Sequence, residues 1–224
     1  SPVSLAFLNE RNDAEYIFYK DYPRQRLEVN MPEISSDDII MIGSYFAITP
    51  VLRDKVKELL DRAHDAGAII YYDVNFRSTH ANEAIKLMPT IIENFEYADI
   101  LRGSTEDFQN MFRQPDADKV YSDHVEFYCP NFICTDADGD VRLRTKHVCK
   151  DYPVTPLKAV STIGDNFNAG VVYGLLKYRV RRADLAELTE ADWDAIIRCG
   201  MDFSADVCKS VSNSVSKEFA ESYR

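Results

Sequence analysis

The rhythm of apolar and polar positions changes once along the chain, near residue 38. Before it, "VSLAFLNERNDAEYIFYK" alternates: an apolar strand from Val3 to Leu8, a polar turn at Asn9 to Asp13 and a Tyr/Phe-rich strand from Glu15 to Lys20, which together predict a hairpin. From Asp38 onward, short apolar runs alternate with stretches of helical period, the pattern of a parallel sheet with crossover helices. "DIIMIGS", residues 38–44, reads as the first buried strand. In the following "TPVLRDKVKELLDRAHDAG", Val51, Leu52, Val56, Leu59, Leu60 and Ala63 recur at helical spacing, with Thr49 as N-cap, Pro50 at the first helical position and Gly67 as stop. "AIIYYDVNF" is the next strand, then come a helix near 82–96, the strand "ADIL", a helix from 105 and the strand "NFICT" at 131–135. "GDVRLRTKHVCKDYPV" predicts a β-hairpin; a helix over 165–179 and two more helical segments complete the pattern. Residues 1–30 are expected to form a small sheet flap on an α/β body over 31–224.

Composition narrows the partners. With 224 residues and 46% hydrophobic composition the chain can bury a substantial core. Its 37 acids against 26 bases give a net charge of −11, which disfavours nucleic acid and anionic membrane surfaces, so any anion must be captured in a local pocket. Cys129, Cys134, Cys149, Cys199 and Cys208 include no CxxC pair, which fits idle thiols in a reducing compartment. No apolar run approaches the roughly 20 residues that span a bilayer, and the expected location is the cytoplasm.

Chemistry on an open parallel sheet is expected beyond the carboxyl ends of the strands. "DVNFRS", "RGSTEDF" and "TDADGD" lie there, and "STIGDNFNAG" opens a helix. Asp73 and Asn75 are either turn formers or ligands, and Arg77 either a solvated loop residue or a contact for an anionic acceptor. Glu106 and Asp107 fit a first helical turn, and equally a magnesium ion held through water. Asp165 is either a helix cap or a carboxylate that takes a proton beside a phosphate resting on the helix N-terminus, with Gly164 permitting close backbone approach. Gly170 and Gly174 predict tight packing of this helix on a neighbour.

Taken in order, these stretches resemble the ribokinase/PfkB family of carbohydrate kinases. "STIGDNFNAGVV" is similar to the family's D-T-x-G-A-G-D turn and the residues after it, "DVNFR" to D-P-N-x-R, "ADILRGSTEDF" to the strand and N-x-x-E loop, and "ICTDADGDV" to the nucleotide loop. The resemblance implies a ribokinase-like α/β fold, a doubly wound parallel sheet flanked by helices with a small β lid. It implies ATP-dependent phosphorylation of a sugar hydroxyl, with ATP, Mg2+ and a monovalent cation as cofactors and a homodimer formed through the lid strands. Asp165 would be the catalytic base and the backbone around Gly164 the anion hole. Thr162, Ile163, Cys134, Thr135, Asp136, Gly139 and Asn213 would border the nucleotide; Asp73, Asn75 and Arg77 would approach the acceptor, and Glu106 and Asp107 would reach the metal through water. The chain departs from the family pattern at three places: the turn before the aspartate either lacks the Ala-Gly pair or, aligned without a gap, carries Thr162 and Ile163 where Gly-Ala belongs; Ser104 replaces Asn; and Asp136 replaces the first Gly of the nucleotide loop. The expected chain is also short of a family N-terminal stretch. These departures keep two rival readings in play, a non-catalytic nucleotide- or sugar-binding homologue and a nucleoside kinase of the same superfamily.

Overall fold

A computed structural model of the chain describes residues 3–8, 14–19, 27, 29–136, 139–154, 163–209 and 214–223. The N-terminal hairpin is present: β1 (Val3–Leu8) pairs antiparallel with β2 (Ala14–Tyr19), Leu5 opposite Ile17 and Val3 opposite Tyr19. The second strand begins one residue earlier than its aromatic pattern predicts. Val3, Leu5, Ile17 and Tyr19 lie on one exposed apolar face.

The body is built on six strands: β3 (Ile39–Gly43), β4 (Ile69–Asp73), β5 (Ile100–Ser104), β6 (Phe132–Thr135), β7 (Val141–Arg144) and β8 (Cys149–Tyr152), neighbours in that order. The first four run parallel and the last two antiparallel, so the sheet is mixed and the predicted hairpin extends it. The link from β7 to β8 is short and closed by Thr145 N–H donating to Val148 O at 2.8 Å, which permits only an antiparallel return.

Alternation along the strands sorts the core into two layers. Ile70, Tyr72, Leu101 and Phe132 face one layer; Ile69, Tyr71, Ile100 and Ile133 face the other. The first layer is covered by α1 (Ser44–Ile48), α2 (Arg53–Ala66), α3 (Ala84–Tyr97), α4 (Thr105–Phe112) and α5 (Ala117–Val120), the second by α6 (Ile163–Lys177) and α7 (Glu190–Val207), with α8 (Lys217–Ser222) closing the described chain.

Several boundaries differ from expectation. Thr49 precedes the helix but makes no side-chain cap bond, because Pro50–Leu52 form a tighter 3-10 turn before regular helix begins at Arg53; Gly67 ends it as predicted, at φ 72°. β5 starts two residues later than "ADIL" because the preceding pair is used as a joint. The Ala98 N–H caps α3 on Asn94 O, and the Asp99 carboxylate accepts from Ile70 N at 2.8 Å and Arg182 Nε at 2.7 Å. Helices α1 and α5 carry too few turns to show a period.

Gly170 and Gly174 pack α6 on α7 as their spacing predicts. A Cβ on Gly170 would stand 2.4 Å from Cys199 O, a backbone atom that cannot swing aside. Gly170→Ala should therefore cost about 1–3 kcal/mol, checked by urea unfolding. The thiols offer a second check. Cys129 and Cys134 are buried and their pKa values are pushed up to about 12 by desolvation, whereas Cys149 is exposed. A thiol reagent added to the native protein should label Cys149 and leave Cys129 and Cys134 untouched until the chain is unfolded. Peptide mass spectrometry reads the result.

Candidate functional site

Strands β4, β5 and β6 end side by side, and their alternation decides which side chains meet α6. Tyr71 and Asp73, Ile100 and Arg102, and Ile133 and Thr135 share the α6 face. Across that face runs one buried chain of hydrogen bonds. Tyr71 Oη donates to Asn168 Oδ1 at 2.9 Å, and Asn168 Nδ2 donates to Asp73 Oδ2 at 2.9 Å. Arg102 Nη1 donates to the other Asp73 oxygen at 3.0 Å, and Arg102 Nη2 donates to Thr135 Oγ1. Three strands and α6 are thereby tied at the residues after which the loops begin.

The electrostatics follow from burial. Arg102 and Asp73 are only 7% and 4% exposed. Desolvation opposes the guanidinium charge, but Asp73, Tyr71 and Asp107 outweigh it and hold the Arg102 pKa above its ordinary value. Burial pushes the Tyr71 phenol up, so it serves as a protonated donor.

Above this network stands the first turn of α6. Gly164 is half-buried and sits so close to Arg102 that a Cβ there would be 3.1 Å from Nη1 and 3.3 Å from Nη2. Asp165 follows it, exposed, with no hydrogen bond or ion pair to any described residue. It is the third residue of the helix rather than the residue before it, so its carboxylate stands within the first turn. That placement leaves both oxygens available to an incoming group. Of the remaining residues expected here, Thr162 and Asn213 lie outside the described residues, and Ile163 is described as the first helical residue by its backbone alone.

Two non-glycine residues just beyond the carboxyl ends of β3 and β4 have left-handed backbone, Ser44 at φ 55° and Asn75 at φ 39°. They follow β3 and β4 and are joined by Asn75 Nδ2 donating to Ser44 Oγ at 2.7 Å. Residues held in such conformations cost about 1–3 kcal/mol each and gather at ligand sites. Arg77 is exposed on the same loop, while Asn110 of α4 donates to Phe76 O at 3.1 Å and fixes the loop's far end.

At α4, Asp107 acts as the closing half of a capping box: Ser104 N and Oγ both donate to its Oδ2 at 2.7 Å, and its own N–H returns to Ser104 Oγ. Burial pushes its pKa up against the pull of Arg102 and the Ser104 donors. Glu106, the neighbouring acid, is exposed and makes no bond to any described residue. Among the described residues no three His, Cys, Asp or Glu side chains converge to hold a metal ion directly. After β6, Thr135, Asp136 and Gly139 are half-buried, and a Cβ on Gly139 would lie 3.1 Å from the Asp136 side chain. Cys134 is different: its thiol packs in the core of the opposite layer, so what it offers a ligand is backbone.

Sequence reasoning passed over Arg102, Asn168 and Ser44. Arg102 did leave a signal, a charge inside the apolar strand "ILRGS", where an unpaired cation is costly. Asn168 and Ser44 left none, since polar residues near helix starts and strand ends are common.

Comparison with known proteins agrees with this geometry. The model of the pfkB family of carbohydrate kinases matches residues 3–218. Fructokinase from Vibrio cholerae O395, a double mutant in a fructose, ADP and potassium ion bound form, superposes with a TM-score of 0.77 at 16% identity over 99% of this chain and 72% of its own. Fructokinase from Xylella fastidiosa with bound ATP gives 0.72 at 20% identity over 98% and 69%. Aminoimidazole riboside kinase from Salmonella enterica gives 0.65 at 17% over 84% of this chain, which spans 60% of that kinase's length. At these identities the likeness is one of fold, and the fold is ribokinase-like α/β. Curated protein sequences give no match.

Proposed function

The chain belongs to the pfkB family of carbohydrate kinases, and on that footing we propose that it transfers the γ-phosphoryl group of ATP to a hydroxyl of a sugar or sugar derivative. The observation that carries the reading is Asp165, an exposed carboxylate in the first turn of α6 that bonds no described residue, beside a glycine seated on a buried arginine. The N–H groups and positive dipole end of a helix's first turn suit a phosphoryl group, and the carboxylate there would take the proton of the attacking hydroxyl. The transition state of phosphoryl transfer is loose, so holding the partners in line matters more than the basicity of Asp165.

The loop bearing Asn75 and Arg77 would receive the acceptor, with Asp73 holding that loop to the network below. Thr135, Asp136 and Gly139 would line the nucleotide. A divalent cation travelling with the nucleotide would shield its phosphates, and Glu106 is the exposed carboxylate that fits it through water; Asp107 fits less well, since the donors of Ser104 occupy one of its oxygens. The apolar face of Val3, Leu5, Ile17 and Tyr19 suits a lid that covers the sugar and pairs with a second copy. A ribonucleoside acceptor is the second reading, favoured by the fold shared with a riboside kinase.

Coupled assays of ADP release over a panel of hexoses, pentoses, sugar acids and nucleosides test the proposal. Turnover with one acceptor class supports it and selects between the readings. Ligand-induced stabilisation with no turnover on any acceptor would make the chain a binding homologue.

A further inference from the structure

We infer that Arg102 supplies the fixed positive charge of the phosphoryl site, acting from beneath Gly164 on the terminal phosphate of the nucleotide. The inference rests on the reading of the first turn of α6 as that site. Two observations carry it. First, the guanidinium lies against the backbone of Gly164, within 3.1–3.3 Å of where a Cβ would be, so a cation and the positive end of a helix dipole face each other. Asp73 offsets the guanidinium charge from the sheet side at 3.0 Å, and an anion resting on the helix side would be drawn to the dipole end and the guanidinium together. Second, Arg102 Nε is buried with no hydrogen-bond acceptor, although the side chain is only 7% exposed. A buried donor left unpaired is costly, and such groups mark places where charge is held ready for a ligand or for catalysis.

Asp73, Thr135 and the ring of Phe167, whose centroid lies 5.9 Å from the Arg102 Cζ, hold the fork in place. Arg102 is thus a positioning and charge-supplying group set below the reacting atoms. Inside a site that excludes water, a charge fixed in advance acts on phosphate without reorganisation.

A purely structural Arg102 makes a different forecast. Its loss would loosen the fold and weaken all ligands alike, whereas a charge directed at the terminal phosphate distinguishes a non-hydrolysable ATP analogue from ADP. The test is calorimetric binding of each, with magnesium, to the wild-type chain, to Arg102→Lys, to Gly164→Ala, and to Arg102→Met combined with Asp73→Asn, which avoids leaving one buried charge unpaired. Arg102→Lys should keep most of the preference for the ATP analogue. The double variant should lose about 10- to 100-fold of that preference, the worth of a unit charge several ångströms away at an intermediate dielectric, with ADP affinity nearly unchanged. Gly164→Ala, whose Cβ displaces the guanidinium, should fall between. Equal losses for the ATP analogue and ADP, or no loss for either, would overturn the assignment. A wild-type chain that binds ADP but gains nothing from the terminal phosphate would instead overturn the phosphoryl-site reading itself.

Discussion

Asp165→Asn should lower phosphotransfer by about 100- to 10,000-fold, the usual contribution of a positioned general base. The melting temperature should hardly move, because the side chain is exposed and makes no bond to any described residue. ADP binding should persist as well, since the amide keeps the shape of the acid and the turn keeps its N–H groups. A carboxylate serving only the helix would behave in the opposite way. Exchanging it for an amide would remove a favourable charge–dipole contact of about 0.3–1 kcal/mol and leave turnover intact. Steady-state kinetics beside a thermal melt separate the two.

The second large effect is on stability. Asp73→Ala should destabilise the fold by about 3–5 kcal/mol, because it strips the carboxylate from an arginine that is itself almost wholly buried. For a chain of this size that is a fall in melting temperature of about 6–20 °C, at about 2–4 °C per kcal/mol. The cost comes mainly from the charge left behind rather than from the bond removed. Neutralising both partners, as Asp73→Asn with Arg102→Met, should therefore recover most of the loss. If the single variant melts with the wild type, the pair contributes little and the picture of a charged floor beneath α6 is wrong.

The fold was largely readable because its core strands carry two apolar faces. "AIIYYD" and "NFICT" leave no polar side for solvent, and such runs separated by amphipathic helices have few arrangements other than a sheet covered on both sides. Gly67 and the Gly170–Gly174 pair were legible for steric reasons that hold in any context. Less visible were features that depend on partners distant in sequence. Thr49 has the composition of an N-cap, yet Pro50 turns the backbone into a 3-10 start that leaves its side chain out of the cap. Asp99 looks like the head of a strand, but its carboxylate is claimed by Ile70 and Arg182, far away along the chain, and the strand begins after it.

The site divides along the same line. Asp165 and Gly164 could be picked out locally, since a small residue and an acid at a helix start suit an anion. Asp73 could be placed after its strand, but its pairing with Arg102 and Asn168 requires knowing that three strand ends share a face with α6. Asp107 shows the converse: a short motif reads equally well as metal ligand and as cap, and the Ser104 contacts show that the cap is formed. Left-handed Ser44 and Asn75 were out of reach, because nothing in either side chain announces the backbone it adopts.

The most direct test of the central claim is mass spectrometric analysis of products after incubating the chain with ATP, magnesium and the acceptor panel. The account predicts a phosphorylated acceptor formed in step with ADP, and both products slowed by about 100-fold or more with Asp165→Asn. ADP and inorganic phosphate appearing without any phosphorylated acceptor, or acceptor phosphorylation undiminished in Asp165→Asn, would contradict it.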